Sequence, residues 1–228
     1  MDKHPIAVAI DGPAAAGKST IAKRVASILG FTYIDTGAMY RAFTYAVIKR
    51  GLDPQDEKAS CSIIPEVTID LLDDGRVLCC GEDVTKQIRE PLVSGNVSYI
   101  ASYKDIRLAL VDIQRAMSKS KSVIMDGRDI GTYVLPDADV KIFQIASVET
   151  RAERRYKENV EKGIPTSLDD VIADVKKRDY IDSHRAFAPL RPAADSVELN
   201  TSKLDIDQVV EEVLKIISAK TGLEVPCH

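Results

Sequence analysis

The stretch IAVAIDGPAAAGKSTIAKRVASILG, residues 6–30, decides the fold that the sequence predicts. An apolar run rich in β-branched residues ends at Asp11, and two glycines then bracket four small residues. A continuous apolar run is typical of a strand that is covered on both faces. Helical periodicity from Ser19 to Leu29 stops at Gly30, a residue that favours the end of a helix. The stretch therefore predicts a strand, a glycine-rich turn and a helix.

The turn between them has the spacing of a phosphate-binding loop, Gly12-x-x-x-x-Gly17-Lys18-Ser19. Glycines let backbone N–H groups surround phosphate oxygens, and the start of the following helix adds its positive end. Lys18 supplies a mobile charge for the β- and γ-phosphates, and the hydroxyl of Ser19 can hold Mg²⁺. The alternative is a glycine-rich turn with a solvated lysine. The predicted ATP-binding residues are Gly12, Pro13, Ala14, Ala15, Ala16, Gly17, Lys18, Ser19 and Thr20.

Strand-like and helix-like segments alternate along the rest of the chain. Predicted strands cover residues 5–10, 31–34, 122–125, 140–145 and 196–199, and helices cover 19–29, 38–50 and 206–219. This order predicts an α/β fold with a doubly wound parallel sheet. Two strand-like runs in residues 67–84 surround Asp73-Asp74-Gly75, which indicates a small antiparallel insertion.

Composition limits the classes of function. The 228 residues, 45% of them hydrophobic, fit one ordinary globular domain. A net charge of −4 does not favour nucleic-acid binding, and apolar runs fall short of the ~20 residues that a membrane span needs. No secretory signal is expected. Four cysteines without zinc or redox spacing favour a reduced, cytoplasmic protein, and the three histidines lack metal-binding spacing; these residues are Cys61, Cys79, Cys80, Cys227, His4, His184 and His228.

Arginines recur after the predicted strands and on single faces of predicted helices. DTGAMYR (35–41) and DGRD (126–129) follow strands, so their side chains belong at the carboxyl edge of the sheet, where ligands of such folds bind. Arg178, Asp182 and Arg185 are spaced so that they would lie on one face of a helix. The same holds for Arg151, Arg154 and Arg155. Each set alone could form surface ion pairs. Together they favour phosphoryl transfer, which must neutralise several negative charges.

A nucleotide switch is the alternative for a phosphate-binding loop. Such a protein needs a D-x-x-G segment to sense the γ-phosphate, and no glycine of this chain has Asp three positions before it. SKLD (202–205) only partly matches the segment by which switch proteins read guanine, and we interpret it as the entry to a helix. A kinase is therefore favoured over a switch.

Ordered motifs across residues 5–218 resemble the bacterial cytidylate kinases, a P-loop nucleoside monophosphate kinase family. The resemblance rests on DGPAAAGKST, DTGAMYR, GEDVT (81–85), SYIASYKDIR (98–107), DGRDIGT (126–132), KIFQIASVETRAERR (141–155) and RDYIDSHRAFAPL (178–190). It implies a three-layer fold with a five-stranded parallel sheet. It also implies transfer of the γ-phosphoryl group of ATP to CMP or dCMP in pyrimidine nucleotide metabolism, with Mg²⁺. Another P-loop small-molecule kinase, such as a UMP/CMP-type kinase, remains the alternative.

The same resemblance implies the role of each matched residue. Asp129 and Ser98 would meet the cytosine amine, Arg107 the cytosine acceptors, and Arg178 and Asp182 the ribose. The acceptor phosphate would lie against Thr36, Arg41 and Arg128. The catalytic set would be Lys18, Arg128, Arg151, Arg155 and Arg185. The full CMP-binding set is Thr36, Tyr40, Arg41, Ser98, Arg107, Gly127, Arg128, Asp129, Arg178, Asp182 and Arg185, with Ser19 as the metal ligand.

The resemblance also divides the single domain. Residues 53–92 would be an inserted monophosphate-binding region, and residues 148–166 a short lid. Both would move, because donor and acceptor must meet without water. Thr36 replaces an expected serine and keeps the hydroxyl, and three alanines stand where the loop often has serine or glycine. Asp126 would order magnesium-bound water, and a monomer is expected.

Overall fold

The computed structural model describes residues 4–225. Eight strands lie in this part of the chain: β1 (Ala7–Asp11), β2 (Thr32–Asp35), β3 (Ile69–Leu71), β4 (Val77–Cys79), β5 (Glu82–Asp83), β6 (Val123–Gly127), β7 (Val140–Ile145) and β8 (Val197–Asn200). The same residues contain eight α-helices: α1 (Lys18–Leu29), α2 (Thr36–Lys49), α3 (Glu57–Ser62), α4 (Pro91–Ile100), α5 (Lys104–Ser118), α6 (Val148–Glu161), α7 (Leu168–His184) and α8 (Ile206–Thr221).

Five parallel strands form the central sheet, in the order β2-β6-β1-β7-β8. Strand β1 is central, and its last residue, Asp11, pairs with Gly127 of β6. Asp35 at the end of β2 pairs with Asp126 of β6. The predicted parallel sheet is confirmed, and the carboxyl ends of its strands bring three carboxylates to one edge.

Helices cover both faces of the sheet, because successive side chains of the apolar strands point to opposite sides. Val8 and Ile10 pack with residues of α1 and α8. Ala9 packs on the other face with Val111 of α5 and Met125 of β6. The result is the three-layer architecture that the sequence predicts.

The antiparallel insertion differs from the predicted hairpin in having three strands, in the order β3-β4-β5. Strand β5 holds only two exposed residues, which gives it no hydrophobic pattern to detect. Helices α3, α4 and α5 were likewise not among the predicted elements. The insertion shares one hydrophobic cluster with α2, which contains Phe43 of α2, Val77 of β4 and Ile88. The insertion is therefore packed on the helix that carries Tyr40 and Arg41.

Several smaller predictions have clear outcomes. Asp205 of the SKLD segment caps α8 with a capping box, as expected of a helix entry. Helix α7 ends at His184 and Arg185 is extended, so only Arg178 and Asp182 share the predicted helical face. Within residues 4–225, none of the helices combines the length and the apolar character that crossing a bilayer requires. Cys61, Cys79 and Cys80 are free thiols, whereas Cys227 and His228 lie outside the described residues.

Candidate active site

The loop after β1 has the backbone conformation of a phosphate cradle. Gly12 has φ 151°, and a Cβ atom on it would lie 2.0 Å from the Gln144 carbonyl oxygen. Gly17 has φ 86° and stands at the start of α1. Gln144 also donates from Nε2 to the carbonyl of Ala16 at 2.6 Å. Only glycine fits at position 12, because the loop lies directly against β7.

Lys18 lies across the loop and is buried. Its Nζ donates to the carbonyls of Gly12 and Pro13, each at 2.8 Å. Burial, reinforced by the nearby charge of Arg128, holds the pKa of Lys18 well below the usual lysine value. Phosphate oxygens would replace two weak acceptors with strong ones and stabilise the charged amine.

Asp126 at the end of β6 joins the loop to β2. Its two carboxylate oxygens accept hydrogen bonds from Ser19 Oγ and Tyr33 Oη, each at 2.8 Å. Burial and the negative charge of Asp35 raise the pKa of Asp126. No cluster of three or more His, Cys, Asp or Glu side chains suited to a metal occurs in the described residues. The hydroxyl of Ser19 beside a carboxylate nevertheless fits Mg²⁺, which keeps several waters and takes other ligands from phosphates.

Three arginines converge beside this loop. Arg128 Nε pairs with Asp182 at 2.8 Å, whereas Arg41 and Arg178 each have only a 4.0 Å ion pair. Among the described residues, Arg41 Nη1 and Arg178 Nε are buried without a hydrogen-bond partner. Burial and neighbouring arginines lower the pKa of Arg41 to about 10 and lower that of Arg178 as well. Concentrated positive charge with unused donors is an anion site.

Thr36 and Tyr40, two further residues predicted to bind CMP, also line this region. In the structure the hydroxyl of Thr36 is already hydrogen-bonded to the protein. This hydroxyl donates to the Asp126 carbonyl at 2.7 Å, so that proton is unavailable to a phosphate unless the hydroxyl turns. Tyr40 is buried with its ring 5.3 Å from the Arg107 guanidinium. Burial raises the pKa of Tyr40 to about 12, so its hydroxyl stays protonated at neutral pH.

A buried carboxylate marks the far end of the site. Asp129 is 3% exposed and accepts from Arg185 Nη2 at 3.1 Å, while Arg107 pairs with its other oxygen. Ser98 of α4 is also buried and lines the same cavity. Arg185 therefore lies with Asp129, among the other residues predicted to bind CMP, and its contact with the transferred phosphoryl group stays a prediction. In this conformation its guanidinium positions the carboxylate.

The arginines of α6 take three different positions. Arg154 donates from Nη2 to the carbonyl of Thr201 at 2.7 Å, and Arg155 pairs with Glu158 at 3.3 Å at the cavity wall. Arg151 is buried and donates to the carbonyls of Ala14 and Ala146. Among the described residues 4–225, those that line the cavity do not include Arg151. The structure thus places the donors of Arg151 on partners beneath the loop, and the contact of Arg151 with the transferred phosphoryl group stays a prediction.

One cavity of 1040 Å³ connects these groups. It runs from Ala15–Thr20 of the loop, past Arg41, Gly127 and Arg178, to Asp129 and Ser98. A second arm reaches Arg154, Thr201, Leu204 and Ile206. This volume is at the upper end for a single small ligand and suits two nucleotides that meet at the loop.

Comparisons with known proteins give the family. A family model described as cytidylate kinase matches residues 8–219. A cytidylate kinase from Anoxybacillus flavithermus is 48% identical over 223 residues, which cover 96% of this chain and 99% of that protein. The chain belongs to the cytidylate kinase family. A family member from Oceanobacillus iheyensis is 49% identical over 215 residues, covering 93% of this chain and 94% of that one.

Solved structures agree on the fold at low sequence identity. An uncharacterised protein from Eubacterium ventriosum has a TM-score of 0.54 at 14% identity, covering 94% of this chain and 99% of that one. A gluconokinase from Sinorhizobium meliloti has a TM-score of 0.53 at 11% identity, covering 96% and 95%. The cytidylate kinase family thus shares its architecture with distant proteins, and its substrate must be read from the site.

Sequence reasoning missed Arg89, a charged residue of the site. Arg89 follows the insertion, lines the cavity and donates to Asp35 Oδ2 at 2.8 Å. It stands in a short turn, Gln87–Arg89, without helical or strand periodicity. The position of Arg89 depends on how the insertion packs on α2, and no local sequence pattern specifies that packing. Tyr33 was missed for a different reason: an aromatic residue in a strand is usually core, and only the pairing of β2 with β6 brings its hydroxyl to Asp126.

Proposed function

We propose that this protein transfers the γ-phosphoryl group of ATP to CMP or dCMP, giving ADP and CDP or dCDP. The observation that carries this proposal is the single cavity that connects a phosphate cradle, an arginine cluster with unpartnered buried nitrogens and a buried carboxylate. Membership of the cytidylate kinase family supports it. ATP phosphates would lie on the loop, with Lys18 leaving its two carbonyl acceptors to bind the β- and γ-phosphates.

The transfer itself would be driven by position and charge. The attacking group is a phosphate oxygen of CMP, which is already anionic at neutral pH and needs no general base. Arg41 and Arg128 would hold this phosphate against the γ-phosphoryl group. Arg178, which the family resemblance assigns to the ribose with Asp182, would also reach the phosphate, because the buried unpartnered nitrogens of Arg41 and Arg178 belong to residues that line one cavity. Arg155 would approach from α6 and stabilise the charge of the transferred group. Mg²⁺, held through Ser19 and by water on Asp126, would supply further positive charge there.

Cytosine would be read at the far end of the cavity. The exocyclic amine of cytosine is a donor, and uracil has a carbonyl acceptor at the same place. The Asp129 carboxylate can only accept when ionised, so it matches the amine and opposes the carbonyl. Arg107 would donate to the cytosine acceptors, and Ser98 would add a contact to the amine. A buried polar site of this kind discriminates strongly because the wrong base leaves its groups unpaired.

Two segments would close over the nucleotides. The lid covers residues 148–166, and the monophosphate-binding region covers 53–92. Because the insertion shares its hydrophobic cluster with α2, movement of 53–92 would carry Tyr40 and Arg41 with it. Limited proteolysis with and without both nucleotides checks this: closure predicts slower cleavage of both segments in the ternary complex, and equal cleavage contradicts it. We propose that the protein acts as a monomer in the cytoplasm.

An acceptor survey tests the function. Purified protein with ATP and Mg²⁺ is given CMP, dCMP, UMP or AMP, and ADP formation is followed. We expect rapid turnover with CMP and dCMP and at least 10²-fold lower kcat/KM with UMP. Preference for UMP would replace the proposal with a UMP/CMP-type kinase, and slow turnover that ignores the acceptor would indicate a nucleotide switch.

A further inference from the structure

The phosphate loop is held from beneath by two charged residues of α6 and α7. The N–H of Ala14 donates to Asp179 Oδ1 at 3.3 Å. The carbonyl of Ala14 accepts from Arg151 Nη1 at 3.0 Å. Arg151 Nη2 lies 2.7 Å from Asp179 Oδ2 and closes the circuit. We call these three residues the loop clamp.

The clamp pairs a buried arginine with a carboxylate that is about a quarter exposed. Arg151 is 4% exposed, and its Nε donates to the Ala146 carbonyl at 2.9 Å. Each of its three nitrogens therefore has an acceptor. Charge-assisted hydrogen bonds in such surroundings are stronger than neutral ones, and an unpaired partner is costly. Loss of either charged residue leaves the other without its counterpart.

A second contact fastens the next residue of the loop to the same helices. Ala15 has φ 59°, a left-handed conformation that costs an L-residue about 1–2 kcal/mol. Its side chain packs on a small cluster of Ala152, Val171 and Val175, which belong to α6 and α7. The methyl group that makes the conformation unfavourable thus contributes apolar contact. Polar and apolar contacts from the same two helices hold Ala14 and Ala15.

We propose that Arg151 and Asp179 are positioning residues that keep the loop in its phosphate-binding conformation before ATP arrives. The proposal rests on the proposed function, which names the ligand of the loop. A loop ordered in advance does not lose conformational freedom on binding, so affinity for the triphosphate rises. The base reader and Arg128 are held by hydrogen bonds to other residues, although the charge of Asp179 also acts on Arg128. Most of the effect therefore belongs to the donor nucleotide.

The clamp also limits the lid. The first turns of α6 carry Arg151 and Ala152, which are fastened to the loop and to α7. A lid of residues 148–166 cannot move as a whole without breaking the clamp. Within the proposed lid of residues 148–166, closure that keeps the clamp intact would therefore move only the end of α6 and the turn after it, from Arg155 onward.

A double-mutant cycle tests the clamp. Asp179→Ala and Arg151→Ala are made singly and together, and dissociation constants are measured by calorimetry for the β,γ-imido analogue of ATP and for CMP. We expect each single variant to bind the ATP analogue about 10-fold more weakly, with CMP affinity within about twofold of wild type. The double variant should lose little more than the worse single variant, because the circuit is already broken. Losses that multiply to about 10²-fold, or equal losses for both nucleotides, would overturn the proposal.

Matched controls keep the test independent of folding and of the proposed reaction. Tyr180→Ala removes a solvent-facing side chain from the same helix and should leave both affinities unchanged. If the alanine variants do not fold, Arg151→Lys, which keeps the charge, should weaken ATP-analogue binding about threefold. Amide exchange at Ala14 should be at least 10-fold faster in Asp179→Ala, or in Asp179→Asn if the alanine variant does not fold. Equal exchange in variant and wild type would refute the clamp, whereas absent CMP turnover in the wild type would refute only the proposed function.

Discussion

Replacing Asp129 by Asn tests both the architecture and the chemistry of the base-reading end. The change keeps the shape of the side chain and removes its charge. Asp129 is the shared counter-ion of Arg107 and Arg185, and all three side chains are buried. The variant therefore leaves two buried guanidinium groups without a full counter-charge.

The expected magnitudes follow from that arrangement. Breaking a buried ion pair costs about 3–5 kcal/mol, and the retained amide oxygen favours the lower end. A loss of about 3 kcal/mol lowers Tm by about 6–12 °C in a chain of this size. The cytosine amine loses a charged acceptor worth about 1.5–3 kcal/mol. At 1.36 kcal/mol per tenfold, kcat/KM for CMP falls by roughly 10- to 150-fold.

The assay separates the two effects. Steady-state kinetics with CMP varied at saturating ATP gives kcat/KM, and calorimetry gives the affinity for the ATP analogue, which we expect to be unchanged. Asp74→Asn is the control, since Asp74 pairs with Arg76 on the exposed hairpin and such pairs contribute little. A lower Tm with unchanged kcat/KM for CMP would show that Asp129 is structural and does not read the base.

Three other changes probe different parts of the site. Gly12→Ala should destabilise the protein by at least about 3 kcal/mol in denaturant titrations, because the added Cβ would lie 2.0 Å from the Gln144 carbonyl oxygen. A loss below about 1 kcal/mol would show that the loop moves to accommodate the methyl group. Burial raises the pKa of Asp11 from 3.8 to about 6, so between those values the folded state holds more protons than the unfolded chain and stability falls as pH rises. The wild type should lose about 3 kcal/mol of stability across that window relative to Asp11→Asn, and parallel pH profiles would contradict the assignment. Arg89→Ala should weaken CMP binding about 10-fold, whereas Arg76→Ala should not; equal affinities would remove Arg89 from the acceptor site.

The sequence predicted the features that depend on local pattern. The P-loop could be recognised because its two glycines, lysine and serine all lie within residues 12–19, and the strand and helix beside it have clear periodicity. Apolar runs predicted all five strands of the parallel sheet, with ends that lie within two residues of those in the structure. The predictions of family and of fold class are confirmed by the cytidylate kinase relatives and by the observed sheet.

Features that depend on tertiary packing could not be predicted in the same way. Arg151 and Arg155 share one helical spacing, yet one turns beneath the loop and the other faces the cavity, because α7 supplies Asp179 for only one of them. Arg185 stands just after the end of α7, where the backbone becomes extended and aims it at Asp129. Residue spacing gives the face of a helix, but the partner on that face comes from another part of the chain.

A structure with bound CMP tests the central claim most directly. The account predicts that Arg41 and Arg178 use their unpartnered nitrogens on the CMP phosphate and that a carboxylate oxygen of Asp129 accepts a hydrogen bond from the cytosine amine. A structure in which the CMP phosphate lies away from these arginines, with Asp129 still bound only to Arg107 and Arg185, would contradict it.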